Sequence, residues 1–253
     1  MTQQPLRIVA CQNFKGGTAK TTTVISIAHC LVRHGKKVLI VDLDAQGSVG
    51  VSLGVEAEYG LYDLLIDNRP LSDCLIEARP NLFCLLADQS LAACETLLVA
   101  QPRREEILKR RLSGLSEIFA DLDVVFIDCS PSLSILSQNA LVYADELLIP
   151  ISMDYLSMVG ANHVFDNLGM IEEYFEKKLK IAGIIPTFFD KRVNMSKEVL
   201  SALQDRYGSL VLPPVRIDTK LKQASSARKT IFEFNEKSRA GLDYLQICEE
   251  LFP

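Results

Sequence analysis

Short apolar runs alternate along this chain with segments in which an apolar residue returns every three or four positions. These are the periodicities of strand and helix. The runs lie at residues 6–12, 38–42, 81–86, 124–128, 146–151, 179–186 and, briefly, 210–212. The helical pattern occupies residues 20–33, 61–67, 104–120, 134–144, 156–177, 194–207, 219–227 and 238–251. Gly35 stands just past the first helical stretch, where a stop signal is expected. Val124, Val125, Phe126 and Ile127 follow one another without a polar residue, which predicts a strand covered on both faces. The alternation as a whole predicts an α/β fold: a doubly wound, mostly parallel sheet with helices on both faces. No linker, repeat or low-complexity stretch divides the 253 residues, so one domain over residues 1–253 is expected.

In such a sheet, ligands bind beyond the carboxyl ends of the strands. Three of these ends carry chemistry that belongs together. The first is Phe14-Lys15-Gly16-Gly17-Thr18-Ala19-Lys20-Thr21-Thr22. The ordinary phosphate-loop pattern G-x-x-x-x-G-K-[ST] fails here, because Phe14 and Ala19 occupy its glycine positions; the variant K-G-G-x-x-K-[ST] matches in full. Backbone N–H groups of such a loop curl round phosphate oxygens, and the following helix N-terminus adds partial positive charge. Lys20 is expected to contact the β- and γ-phosphates, and the Thr21 hydroxyl to complete a Mg²⁺ shell. The second end is Asp42-Leu43-Asp44-Ala45-Gln46-Gly47. Asp42 and Asp44, two apart, point the same way on a continuing strand. Asp44 is the candidate to orient an attacking water, and Asp42 to serve Mg²⁺ coordination or loop structure. The third end is Asp128, closing the buried run before Cys129-Ser130-Pro131; its carboxylate is expected to hold Mg²⁺ through water.

Composition changes this picture little. Apolar content of 48% and charged content of 23% are those of an ordinary soluble domain. The polar start Met1-Thr2-Gln3-Gln4-Pro5 argues against a secretory signal, and no apolar run approaches a bilayer span. The cysteines at 11, 30, 74, 84, 94, 129 and 248 are odd in number and form no C-x-x-C pair, which suggests reduced, structural thiols in a cytoplasmic protein. His29, His34 and His163 are dispersed, so no metal-ligand set is expected. Charge matters more. Residues 176–239 carry 14 Lys and Arg against 7 Asp and Glu; with a net charge of −5 for the chain, the remainder sums to −12. A basic region on an acidic protein can bind a polyanion locally, or it can be a set of solvated helix faces.

Taken together, the K-G-G-x-x-K-T-T loop, the D-x-D-A-Q-G segment and the I-D-C-S-P stretch resemble the ParA/Soj group of deviant-Walker ATPases, relatives of MinD. The resemblance implies ATP and Mg²⁺ as cofactors and an ATP-dependent homodimer. Lys15 matches the family's signature lysine, which would reach the partner's ATP phosphates. Ala19 departs from the usual glycine, and a positive φ there would be costly. The resemblance also implies non-specific DNA binding, with Arg192 and Arg216 matching the family's basic contacts. Lys191, Lys220, Lys222, Arg228 and Lys229 are weaker candidates from the basic region. Pro213 and Pro214 sit where the family forms its adenine pocket. With only 14 residues before Lys15, no operator-reading extension is expected. The implied cycle is nucleoid association as an ATP dimer in the cytoplasm. Release then follows hydrolysis stimulated by a ParB-like or other adaptor, and the cycle moves a plasmid, a chromosome origin or a protein body. The competing reading is a MinD-like membrane-associated ATPase; the acidic, proline-terminated tail argues against it. A metabolic P-loop ligase would need a substrate site that the sequence does not display. An iron–sulphur reductase would need ligand motifs around Cys94 and Cys129 that do not match.

Overall fold

The computed structural model describes residues 5–132, 134–154, 169, 173, 175 and 177–253. Seven strands form one sheet: β1 (Arg7–Cys11), β2 (Val38–Leu43), β3 (Leu75–Arg79), β4 (Leu82–Leu85), β5 (Val124–Cys129), β6 (Glu146–Ser152) and β7 (Lys180–Thr187). Their spatial order is β3-β4-β2-β5-β1-β6-β7. Every neighbouring pair is parallel except β3 with β4.

Two apolar layers explain the uninterrupted runs. Leu39 and Val41 of β2 and Val125 and Ile127 of β5 face a core shared with Leu61, Leu64, Leu91, Leu98, Ile107 and Ile135. Val38, Ile40, Val124 and Phe126 face the opposite core, with Val24, Ile27, Leu31, Ile231, Tyr244 and Ile247. Each strand is therefore covered on both sides, as parallel strands require. The second core holds the helix Lys20–Arg33 against the C-terminal helix Arg239–Leu251. At its centre the fully buried Tyr244 hydroxyl meets the Thr23 hydroxyl at 3.1 Å, which satisfies both groups.

The doubly wound parallel sheet is as expected, but several elements differ. β3 was not among the expected strands. It turns back into β4 through Pro80-Asn81, with Asn81 at φ 66, a left-handed conformation that asparagine tolerates. The expected helix over 104–120 is broken into Arg104–Glu106, Ile107–Arg111 and Leu115–Ile118, interrupted at Gly114. The expected strand over 210–212 is a single bridge from Val211 to Ile184. Pro213 and Pro214 follow and lack the N–H groups a ladder needs. The helix expected over 156–177 lies mostly outside the described residues. Among the described residues no helix is long and apolar enough to cross a membrane.

Candidate functional site

The carboxyl edge of the sheet collects the polar residues singled out in sequence. β1 lies between β5 and β6, and its register sets Cys11 beside Asp128, which is also level with Asp42 of β2. The loop leaving β1 is thus centred among three strand ends.

Asn13 pins that loop. Its buried side chain donates to the Pro150 carbonyl at 2.7 Å and accepts the Lys15 N–H at 2.9 Å. Thr187, at the end of β7, donates to the Thr18 carbonyl at 3.2 Å. Gly17 adopts φ 75 and Ala19 φ 68. A Cβ at Gly17 would meet nothing within 4 Å, so its backbone angle rather than crowding favours glycine there. Ala19 holds the same left-handed conformation with a Cβ, at a cost of about 1–2 kcal/mol. It caps the helix Lys20–Arg33 without a side-chain oxygen, leaving its first N–H groups to other acceptors.

The two lysines of the loop part company. Lys20, 8% exposed, donates inward to the carbonyls of Asn13 (3.0 Å) and Lys15 (3.3 Å). Lys15 grips both carboxylate oxygens of Asp154 at 2.7 and 2.9 Å. Ser152 at the end of β6 donates to that same carboxylate at 2.8 Å.

The carboxylates divide as sharply. Asp42 is fully buried and accepts the N–H groups of Asp44 (3.0 Å) and Val49 (3.2 Å), one on each oxygen. Of its two expected roles, the structure displays loop organisation. Burial raises its pKa well above the usual value, and the Asp128 charge adds to this against the two N–H bonds. Asp128 is equally buried, yet neither oxygen has a hydrogen-bond partner. The Thr21 hydroxyl and the Lys20 ammonium favour its ionised form, the hydroxyl from outside hydrogen-bond geometry. Desolvation outweighs both and pushes the carboxyl up to about 7. A buried carboxyl with no partner, facing Thr21 and Lys20, fits a divalent cation such as Mg²⁺. Asp44 is half-buried and accepts the Gln46 N–H at 3.0 Å.

The basic candidates sit elsewhere. The segment after Val211 runs along the carboxyl end of β7, with Val215 donating to Pro186 and Phe189 to Val215. This brings the half-buried Pro213 and Pro214 beside the strand whose Thr187 touches the loop. Arg192 donates from Nε and Nη2 to Asp190 (2.9 and 2.7 Å), which holds that carboxyl down to about 2. Arg216 forks onto Asp243 of the C-terminal helix at 2.6–3.0 Å. The two residues expected to be the main polyanion contacts thus each carry a neutralising partner. Lys220 reaches Gln223 at 3.0 Å, and Lys191, Lys222 and Lys229 are exposed. Arg228 packs instead over Gly54, beside a cavity of about 440 Å³ flanked by Gly47 and Asp88.

Sequence reasoning missed Asn13, Asp154, Thr187 and Asp243. Asp154 offered a signal: like Asp44 and Asp128, it is a carboxylate at the end of an apolar run. The other three are ordinary polar residues until the chain closes.

Comparison with known proteins gives a consistent setting. A family profile described as an AAA domain matches residues 6–181. Over 254 residues the chain is 33% identical to the sporulation initiation inhibitor protein Soj of Bacillus subtilis, covering 97% of this chain and 98% of that one. A structure described as cobyrinic acid a,c-diamide synthase from Mycobacterium smegmatis, with bound ADP and magnesium, superposes with a TM-score of 0.82. It shares 31% identity and covers 97% of this chain and 93% of its own. Apo McdA from Cyanothece superposes with a TM-score of 0.87 over 98% of this chain and all of its own; at 24% identity this likeness concerns the fold.

Proposed function

The chain belongs to the ParA/Soj-type family of P-loop ATPases, and we propose that it is an ATP-dependent, dimerising ATPase that positions a cargo by binding DNA non-specifically. The supporting observation is the divergence of Lys15 and Lys20. Lys20 lies inside its own loop, where the β- and γ-phosphates of ATP would replace the carbonyls of Asn13 and Lys15. Lys15 is held instead on Asp154, past the end of β6. Two triphosphates facing each other across a dimer need added cations, and a lysine not engaged with its own loop can supply one to its neighbour.

The N–H groups of residues 16–22 would cradle the phosphates. Thr21 and Asp128 would hold Mg²⁺, which when bound neutralises charge on the β- and γ-phosphates. Asp42 keeps the Asp44–Gly47 turn in place, so that Asp44 can orient the attacking water. Pro213 and Pro214 would flank the base. In the dimer the Lys15–Asp154 pair must open. Both partners are part-exposed, so separating them costs only about 1 kcal/mol or less. DNA contact would fall to Lys191, Lys220, Lys222 and Lys229, with Arg192 and Arg216 contributing only when phosphate displaces their aspartates. An adaptor of the ParB kind would stimulate hydrolysis and release the nucleoid-bound dimer.

Size-exclusion chromatography with ATP tests this. Wild type is expected as a dimer with ATP and a monomer with ADP. Lys15→Ala should bind ATP yet stay monomeric, whereas Asp44→Ala should remain a dimer. An Asp44→Ala protein that stays monomeric in ATP sinks the assignment. Lys191→Glu with Lys222→Glu should lose salt-dependent DNA retention and keep ATP turnover. Retention of liposomes but not DNA would transfer the role to a membrane.

A further inference from the structure

The helix that begins at the phosphate loop carries a second constellation at its other end. Cys30 lies in the last turn of Lys20–Arg33, and His34 follows it by four residues, on the same face. Cys248 comes from the C-terminal helix Arg239–Leu251, which packs alongside. Ligand atoms of all three lie within 4.8 Å of one another, and among the described residues this is the one group of three or more His, Cys, Asp or Glu so placed. Both cysteines are buried, 1% and 2% exposed. His34 is exposed and borders a cavity of about 610 Å³ that Cys248 and Glu249 also line.

We propose that Cys30, His34 and Cys248 form a Zn²⁺ site. Two thiolates and an imidazole are the donors this ion prefers, with Zn–S near 2.3 Å and Zn–N near 2.0–2.1 Å. Tetrahedral geometry then requires ligand-to-ligand edges of roughly 3.5–3.8 Å. Cys30 Sγ already lies 3.9 Å from His34 Nδ1, so small side-chain rotations reach those edges. The His34 ring is also oriented. Its Nδ1 sits 2.9 Å from the Cys30 carbonyl, a contact that binding of the ion at Nδ1 would replace, leaving Nε2 to carry the ring's N–H. Binding converts two thiols to thiolates and releases two protons, so the loaded site adds no net charge. The fourth position opens on the cavity and is left to water.

The site lies about ten residues along the helix from Lys20, roughly 15 Å away. It is therefore a clamp between the two helices rather than part of the ATP chemistry. Because the three ligands meet only in the folded chain, the binding free energy of the ion adds to folding stability.

Cobalt titration of the full-length chain, reduced with a phosphine and freed of metal by chelation, tests the proposal. One equivalent of Co²⁺ should produce thiolate-to-cobalt charge transfer and the intense visible bands of a tetrahedral ion, and one equivalent of Zn²⁺ should abolish both. Cys248→Ser should remove the charge-transfer band from one thiolate and weaken binding at least 100-fold. His34→Ala, at an exposed position that leaves the core intact, should weaken Co²⁺ binding at least tenfold with an unchanged circular dichroism spectrum. It should also erase the rise in melting temperature that Zn²⁺ gives wild type. Cys84→Ser, at a buried thiol elsewhere, should bind as wild type does. Absence of charge transfer in wild type would overturn the site. So would Co²⁺ binding unchanged in His34→Ala or in Cys248→Ser.

Discussion

The carboxyl edge of the sheet and the basic edge around β7 handle charge in opposite ways. At the first, Asp128 is buried and, among the described residues, neither of its oxygens has a hydrogen-bond partner, while the buried Lys20 ammonium rests on backbone carbonyls. At the second, exposed or half-exposed guanidiniums are matched by largely buried carboxylates, Arg192 by Asp190 and Arg216 by Asp243. A buried unmatched charge is costly and persists where a ligand will meet it. An exposed matched pair costs little and conveys little. The phosphate end therefore states its chemistry in its geometry, whereas the basic edge does so only through the surplus lysines around it.

Four measurements put that contrast at risk. The largest effect concerns Asp128. Its carboxyl is raised from the usual 3.8 to about 7 in the fold, so the folded protein binds the proton more tightly than the unfolded chain does. Without nucleotide, its contribution to stability should be greatest below about pH 4 and fall as pH rises towards 7, by on the order of a few kcal/mol at about 1.4 kcal/mol per unit; Asp42, also raised, adds in the same direction. Asp128→Asn should make that slope shallower in urea unfolding, and Mg²⁺ with nucleotide should do the same to wild type. A slope unchanged in Asp128→Asn would place the proton elsewhere. Next, Lys20→Ala should weaken ATP binding about 100-fold in calorimetry, because two charge-assisted bonds to phosphate are worth about 3 kcal/mol.

The third measurement addresses the matched edge. Arg216→Ala should cost about 1–3 kcal/mol of stability, since it strands the buried Asp243 carboxylate. Arg192→Ala should cost less, because Arg192 itself is 84% exposed and its loss opens Asp190 to water. Equal losses from the two would erase the distinction between the two pairs. The smallest effect is at Ala19. Ala19→Gly relieves a left-handed alanine but loosens the unfolded chain, for a net gain of about 0.5–1 kcal/mol in urea unfolding. A loss instead would mean that the loop profits from the methyl group.

What could be read in the chain follows sequence distance. The loop after β1 was legible because its pattern lies within nine consecutive residues; the strand register sets Asp128 level with Cys11, just ahead of it. The continuous apolar runs announced strands covered twice. β3 escaped because its alternation is short and ends directly at Pro80, and the break at Gly114 escaped because the charged pattern runs through it.

The α/β class, the loop and its lysines follow from the chain alone, because local backbone chemistry and periodicity are written in neighbours. Folding was needed to set Lys15 on Asp154, Arg216 on Asp243, and Cys248 against Cys30 and His34. Those partners are far apart along the chain, and nothing in either stretch specifies the other. Packing both cores against one sheet is what brings them within reach.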